Sequence, residues 1–201
     1  MYGGMTFGLS ARYTCEKYFS TVCAIGGEVN YAQIGWKEKI LDGQDEPVTL
    51  PETNSPMEYK RNLTYVQIPL YAHLAWVREK KGFSFFAKAG PQFGICISDS
   101  HTANFDVYNP AEYNMSKRAS QTVAQDTMRV QNKFDYGIMA GAGLEYSHPK
   151  IGHFLVEGRY YFGLGNIYKD SKRDFFAKSA FGNIVIKLTY LFDLIKKDKA
   201  D

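Results

Sequence analysis

The sequence predicts an all-β fold: an up-and-down antiparallel transmembrane β-barrel, with eight strands in the native protein and seven visible here. Three observations predict this class. Seven segments alternate apolar and polar side chains, which is the period of a β-strand. Several of these segments exceed the roughly 9–11 residues that a tilted strand needs to cross a bilayer. Finally, the connections between them alternate between short and long.

The clearest strand pair lies within residues 63–97. In its first half Val66, Ile68 and Leu70 fall on one face, while Tyr65 and Gln67 fall on the other. A charged turn at residues 78–82 follows, and the alternation resumes over residues 83–97. This pattern predicts an antiparallel hairpin of two long strands.

The same alternation predicts five further strands, with turns at residues 15–17 and 148–150. Gly26 and Gly27 predict a bulge or bend. Pro69 and Pro91 lack an N–H, so each predicts a bulge or a locally unpaired position. We expect one domain over residues 1–194 and a charged C-terminal tail over 195–201. The five segments are residues 3–13, 19–36, 133–147, 152–165 and 181–194.

Polar segments without sustained periodicity predict three long loops, at residues 37–61, 98–132 and 166–180. Short connections follow the first, third and fifth strands, and long ones follow the second, fourth and sixth. Outer-membrane barrels have short periplasmic turns and long extracellular loops. We therefore expect the outer membrane of a Gram-negative bacterium, with the long loops outside and the short turns and C-terminus in the periplasm.

An odd number of strands cannot close an up-and-down antiparallel barrel. The loop alternation places the missing strand before residue 3. No basic region followed by an apolar region begins at Met1, although an exported protein needs such a signal. We therefore expect both an eighth strand and a signal peptide upstream of Met1.

The polar face of the predicted strands carries equal numbers of acidic and basic residues. Balanced charge favours the narrow interior of an eight-stranded barrel, where an unpaired charge costs several kcal/mol. Aromatic residues near the strand ends on the other face favour contact with lipid at the two membrane interfaces. A soluble ligand-binding barrel, with its apolar face inward, is the alternative. The predicted structural charge network of the lumen consists of Arg12, Glu28, Lys88, Asp135, Glu145, Glu157, Arg159 and Lys187.

Seven local strings carry a family resemblance, and they occur in the order YVQIPL at 65–70, AGPQFG at 89–94, DYG at 135–137, GAGLE at 141–145, EGRY at 157–160, GLGNI at 163–167 and YLF at 190–192. Together they resemble the PorT-like outer-membrane β-barrel family of Bacteroidetes. The resemblance implies an eight-stranded barrel preceded by a signal peptide, mostly without assigned function; PorT itself is linked to a gliding-associated secretion system. The chain departs from the family by lacking its first strand and by continuing past Phe192.

No catalytic, cofactor or metal site emerges from the sequence. His101 follows Ser98, Asp99 and Ser100, but the group lacks a third orienting residue and a fixed scaffold, so a membrane-embedded hydrolase is the weaker hypothesis. The three cysteines are scattered. The formal charge of +3 is too small and dispersed to indicate nucleic acid binding.

The predicted function is therefore that of a non-enzymatic outer-membrane barrel with a filled lumen and a structural or surface-binding role. A subunit of an outer-membrane secretion or assembly complex is the alternative. The expected partners are outer-membrane lipid and proteins that bind the long loops. Candidate aromatic anchors for such partners are Phe105, Tyr108 and Tyr113.

Overall fold

A computed structural model of the chain describes residues 3–41, 44, 46–78, 82–105, 130–168 and 180–194. It contains one sheet in which each strand pairs antiparallel with the next along the chain. The sheet curls so that one face encloses an interior. The strands are β1 (Thr6–Tyr18), β2 (Thr21–Lys39), β3 (Glu58–Arg78), β4 (Phe83–Ala103), β5 (Phe134–His148), β6 (Gly152–Gly163) and β7 (Gly182–Leu191).

The predicted alternation of short and long connections is confirmed. Short turns follow β1, β3 and β5, and long connections follow β2, β4 and β6. At the second turn Gly82 has a φ of 68°, a left-handed conformation that favours glycine. Strands β1 and β7 are the edges of the described sheet. The expected eighth strand, signal peptide and charged tail all lie outside the described residues and stay predictions.

Several predicted loop boundaries are wrong. Residues 37–39, 58–61 and 98–103 belong to β2, β3 and β4, which are longer than the sequence pattern suggested. In these extensions the outward side chains are polar, and inward residues such as Arg61 and Asp99 are polar as well, so the apolar–polar alternation that marks a strand is lost. The first turn also lies later than predicted, at Phe19–Ser20, because β1 continues to Tyr18 through a bulge next to Cys15.

The glycine and proline predictions had different outcomes. Gly26 and Gly27 pair with β3 without a register shift, so the bulge, one of the two predicted alternatives, is wrong, while the bend stays a prediction. A Cβ atom at Gly26 would meet the ring of Tyr71, and this close packing explains the glycine. Pairing between β3 and β4 is interrupted where Leu70 faces Pro91, although the register does not change. Pro91 therefore marks a locally unpaired position, which is one of the two outcomes that the sequence predicted for it.

The two faces of the sheet differ sharply in chemistry. Inward-facing charged residues are buried, and Glu157 and Lys88 are only 1% and 4% exposed. Outward-facing aliphatic residues are exposed, with Ile186 at 83% and Leu188 at 78%. A water-soluble protein rarely exposes a continuous apolar surface of this extent. The polar face is therefore the interior, as the sequence predicted.

The exposed apolar surface forms a band bounded by aromatic residues. Cross-strand neighbours Trp76 and Phe85 stack near the short turns, with ring centroids 5.8 Å apart. Phe93 and Phe134 stack near the other boundary, at 6.3 Å. From Val66 to Trp76 the chain takes about ten steps of about 3.3 Å, which a tilt of about 40° converts to a height of roughly 25 Å. This matches the apolar band of outer-membrane barrels.

In register with that stretch, the membrane-spanning segments are residues 66–76 of β3, 85–95 of β4, 134–144 of β5 and 156–162 of β6. Strands β2, β3 and β4 continue beyond the band at the end of the long connections. We call this three-stranded extension, residues 35–39, 58–62 and 99–103, the outer platform.

Candidate functional site

The guanidinium group of Arg159 lies at the centre of the interior. Its Nε donates a hydrogen bond to Glu157 Oε1 at 2.8 Å, and its two terminal nitrogens donate to the two carboxylate oxygens of Glu28 at 2.9 Å each. Such paired bonds are among the stronger ones in proteins, because both partners are charged. One side chain thereby joins β6 to β2 across the interior.

Two lysines extend this arrangement in both directions. Lys187 Nζ on β7 lies 2.7 Å from Glu28 Oε2, and Lys88 Nζ on β4 lies 2.9 Å from Glu157 Oε2. The result is a continuous chain of ion pairs, which we call the lumen plug. It consists of Lys187, Glu28, Arg159, Glu157 and Lys88.

The local sequence makes room for the lumen plug. A Cβ atom at Gly141 on β5 would lie 2.7 Å from Glu157 Oε1, so a larger residue there would displace the carboxylate. Lys88 Nζ also lies over two aromatic rings, 4.7 Å from the centroid of Tyr71 and 5.0 Å from that of Phe86. These cation–π contacts further stabilise the buried ammonium group.

A second charged cluster lies next to the short turns, beyond the membrane-spanning segments. Arg12 donates to both carboxylate oxygens of Glu145, at 2.6 and 2.8 Å. His153 Nδ1 lies 2.8 Å from Glu145 Oε1, and its Nε2 lies 3.3 Å from Asp193 Oδ1. The hydrogen bond with Glu145 raises the pKa of His153 above its ordinary value. We call these four residues the turn-end cluster.

Ser147 brings this cluster close to the geometry of a hydrolase. Its Oγ lies 2.9 Å from His153 Nδ1, while Asp193 contacts the other ring nitrogen. A serine nucleophile needs a histidine nitrogen that can accept its proton. Here the same Nδ1 faces the carboxylate of Glu145, which can only accept, so this nitrogen carries a proton. His153 is therefore not placed to act as a general base for Ser147.

Asp135 lies apart from both clusters. Its Oδ2 accepts a hydrogen bond of 2.7 Å from the hydroxyl of Tyr161. Mostly aromatic and aliphatic side chains fill the interior around Asp135. They cover the lumen plug on the side of the long connections. This buried group is Leu63, Tyr65, Tyr71, Cys96, Met139, Tyr161, Ile167, Tyr168 and Phe181.

The outer platform has an ion pair of its own. Arg61 donates to both oxygens of Asp99, at 2.9 and 2.6 Å, and its guanidinium carbon lies 5.8 Å from the ring centroid of Trp36. Burial opposes ionisation of Asp99, but the hydrogen bonds from Arg61 and from the backbone N–H of Val130, together with the positive charge of Arg61, lower the pKa of that carboxyl. The platform therefore has fixed side chains as well as paired strands.

One predicted functional residue, His101, lies on this platform, and another, Phe105, lies next to it. His101 lies on β4 rather than in a loop, and its ring stacks on Tyr59 with centroids 5.9 Å apart. Phe105 is 6% exposed and packs with Ile40 and Met57, so its ring is not presented to a partner in this structure. Tyr108 and Tyr113, the other two candidate anchors, lie outside the described residues.

Of the eight residues expected in a lumen charge network, the structure brings five together in the lumen plug and two, Arg12 and Glu145, in the turn-end cluster. Asp135 is buried, and its carboxylate accepts a hydrogen bond from Tyr161, which belongs to neither cluster. The sequence analysis gave no role to His153, although it shares the inward parity of Glu157 on β6. The Arg61–Asp99 pair was missed because both residues had been assigned to loops.

Some sites are absent from the described part of the chain. It holds no group of three or more His, Cys, Asp or Glu side chains arranged to bind a metal ion. Within these ranges no helix is long and apolar enough to cross a membrane. The three cysteines are free thiols, with Cys15 exposed, Cys23 half-buried and Cys96 buried.

A curled antiparallel sheet with a charged, buried interior and an apolar outer band defines the class of outer-membrane β-barrels. Comparison with known families agrees with this class. The family model for the outer membrane protein beta-barrel domain matches residues 2–169, which is most of the chain. The protein therefore belongs to the outer membrane protein beta-barrel domain family. No curated protein and no solved structure shows significant similarity to it.

Proposed function

We propose that this protein is a non-conducting outer-membrane barrel whose function is structural or surface-binding, with the long connections outside the cell and the short turns in the periplasm. The lumen plug carries the proposal. The side chains of Glu28 and Glu157 are fully buried, and each is engaged by two cationic groups from other positions in the sheet.

Energetics support a closed interior. Removing one partner from a buried ion pair typically costs about 3–5 kcal/mol, because the remaining charge is left without compensation. An ion crossing the lumen would have to separate several such pairs and then pass the aromatic group around Tyr65 and Tyr161. Continuous conduction through this interior is therefore unfavourable.

The outer platform supports a surface-binding role. It extends β2, β3 and β4 beyond the apolar band and carries a small core that includes Ile40, Met57 and Phe105. A folded extension beyond the membrane gives a partner a preformed surface, whereas a mobile loop would have to be ordered on binding. This also favours the second candidate function, a subunit of a PorT-like secretion or assembly complex.

Current recordings in planar lipid bilayers test the closed lumen. We expect insertion of the full-length protein without steady conductance. The Arg159→Ala, Glu28→Ala double variant, which removes the central pair, should show more frequent transient openings, whereas Lys150→Gln in an exposed turn should behave like the wild type. Steady, ohmic conductance of the wild-type protein would overturn the proposal.

Partner binding is tested separately, by crosslinking from the outer platform. A photoreactive residue at Thr102, which faces outward on β4, should crosslink a protein in intact cells if the platform docks a subunit. The matched control is the same residue at Lys17, at the short-turn end. Equal labelling from both positions, or none from either, would contradict the complex-subunit candidate and leave the closed barrel unaffected.

A further inference from the structure

An open groove of about 590 Å³ lies where β5 begins and the chain leaves β6, apart from the outer platform. The wall nearer the middle of the strands is formed by the exposed, outward-facing side chains of Phe134, Tyr136 and Leu164. The opposite wall is polar and includes Asn132 and Lys133. The groove therefore joins an apolar surface to a polar one. We call it the boundary groove.

Hydrogen bonds fix the two walls of the boundary groove. Asn132 Nδ2 donates to the carbonyl oxygens of Asn166 and Tyr168, at 2.8 and 3.1 Å, which ties the chain before β5 to the segment after β6. The backbone N–H of Leu164 donates to the carbonyl oxygen of Tyr136 at 2.8 Å. The groove is therefore preformed, and a preformed site spends less free energy on ordering when a ligand binds.

The boundary groove lies at the edge of the apolar band. On β5 the outward residues from Leu144 to Phe134 are all apolar or aromatic, and residues 131–133, directly before Phe134, are polar. Lys133 is one step of about 3.3 Å beyond Phe134, which at a tilt of about 40° is roughly 2.5 Å in height. The headgroup layer is roughly 5–7 Å thick on each side of the hydrocarbon. Lys133 therefore lies at the depth of the lipid headgroups, while Tyr136 and Leu164 lie beside the acyl chains.

The charge of the boundary groove is positive. Lys133 is exposed and forms no ion pair with any residue that the structure describes. The described side chains that line the groove include no carboxylate. A lysine at this depth keeps its stem against apolar surface and its ammonium group among the headgroups, where it attracts anionic lipids.

We propose that the boundary groove binds one anionic, phosphate-bearing membrane lipid, with the phosphate at Lys133 and the first part of an acyl chain along Phe134, Tyr136 and Leu164. This inference rests on the proposed membrane barrel. The order of the two walls selects an amphiphile, because the apolar wall faces the hydrocarbon and the cation faces the headgroups. The positive charge selects an anionic headgroup. The volume lies within the roughly 300–1,000 Å³ of sites that hold one small molecule, so the groove takes a single lipid.

The test measures lipid retention by the full-length protein. The protein is reconstituted into nanodiscs of phosphatidylcholine containing a small fraction of phosphatidylglycerol and then extracted in neutral detergent. Native mass spectrometry counts the two lipids that remain bound. We expect one phosphatidylglycerol to be retained in preference to phosphatidylcholine, and this preference to weaken at high salt, which screens exposed charges.

Single variants separate the groove from charge elsewhere on the protein. A lysine near the membrane surface contributes about fivefold in binding, so Lys133→Gln should lower phosphatidylglycerol retention about fivefold and leave phosphatidylcholine unchanged. Lys60→Gln, farther from the hydrocarbon on the outer platform, and Lys150→Gln, at the opposite end of the strands, remove the same charge and should have little effect. Leu164→Ser removes part of the apolar wall and should weaken the retention of both lipids.

A loss of phosphatidylglycerol from Lys60→Gln as large as that from Lys133→Gln would overturn the inference, because general surface charge would then hold the lipid. Unchanged retention of both lipids in Leu164→Ser would also contradict it. So would a wild-type protein that inserts but retains the two lipids in proportion to the disc. Failure of the barrel itself gives a different result, since then no variant would insert into nanodiscs.

Discussion

The lumen plug predicts that Arg159→Met destabilises the folded barrel by about 3–5 kcal/mol. The substitution keeps most of the side-chain length but removes three charge-assisted hydrogen bonds, of 2.8, 2.9 and 2.9 Å. It leaves the carboxylates of Glu28 and Glu157, both fully buried, with Lys187 and Lys88 as their remaining cationic partners. The expected cost follows from the usual penalty for breaking a buried ion pair.

Equilibrium unfolding in urea, in detergent micelles or thin vesicles and followed by tryptophan fluorescence, gives the free energy of unfolding. Arg159→Lys should lose less, because it keeps the charge but not the paired geometry toward Glu28. Arg159→Met with Glu28→Gln should cost less than the sum of the two single changes, since residues in one network couple by about 0.5–3 kcal/mol. Lys150→Gln should stay within about 0.5 kcal/mol of the wild type. A loss below about 1 kcal/mol for Arg159→Met would show that water reaches the carboxylates, and would refute the filled lumen.

Two further predictions concern the turn end and the close strand packing. Because Glu145 raises the pKa of His153, the folded state holds this proton more tightly than the unfolded chain; the resulting stability is complete below a pH of about 6.5 and lost as pH rises through the folded pKa. Unfolding free energies measured from pH 6 to pH 9 should fall for the wild type and vary less for His153→Gln; identical slopes would contradict the assignment. Gly143→Ala should destabilise the barrel by more than about 1 kcal/mol, because a Cβ atom there would meet the carbonyl oxygen of Val156 and the ring of Phe86. Gly158→Ala is the matched control. It should be nearly neutral, because a Cβ atom there would meet no atom within 4 Å. The same urea titration checks the pair, and equal losses would contradict the packing.

The alternation of residues 63–97 was sufficient to predict the central hairpin and which of its residues share a face. The balanced charges of the polar face and the aromatic residues of the apolar face then predicted which face lies inside. Successive side chains of a strand contact lipid and the narrow polar interior in turn. Apolar and polar residues therefore alternate along the sequence. The same reasoning placed Glu157 and Arg159 on one inward face, where they form an ion pair of 2.8 Å.

The outer platform was not predictable in the same way. Beyond the apolar band both faces carry polar side chains, so the sequence no longer alternates between apolar and polar residues. The strands nevertheless continue there, since β3 begins at Glu58 and β4 extends to Ala103. Which charges meet was also beyond the sequence. Glu28 and Arg159 lie on opposite sides of the curled sheet, and their contact depends on its curvature rather than on local spacing.

The central claim is that the apolar face contacts lipid and the charged face lies inside. Single fluorescent labels at Leu70, which points outward, and at Gln67, which points inward, test it in a variant with the three cysteines replaced and the protein reconstituted in vesicles. The account predicts that bromines on the lipid acyl chains quench the label at Leu70 strongly and the label at Gln67 weakly, and that iodide in the water fails to reach Leu70. Efficient quenching of the Leu70 label by iodide, together with a monodisperse protein in detergent-free buffer, would show that the faces are inverted.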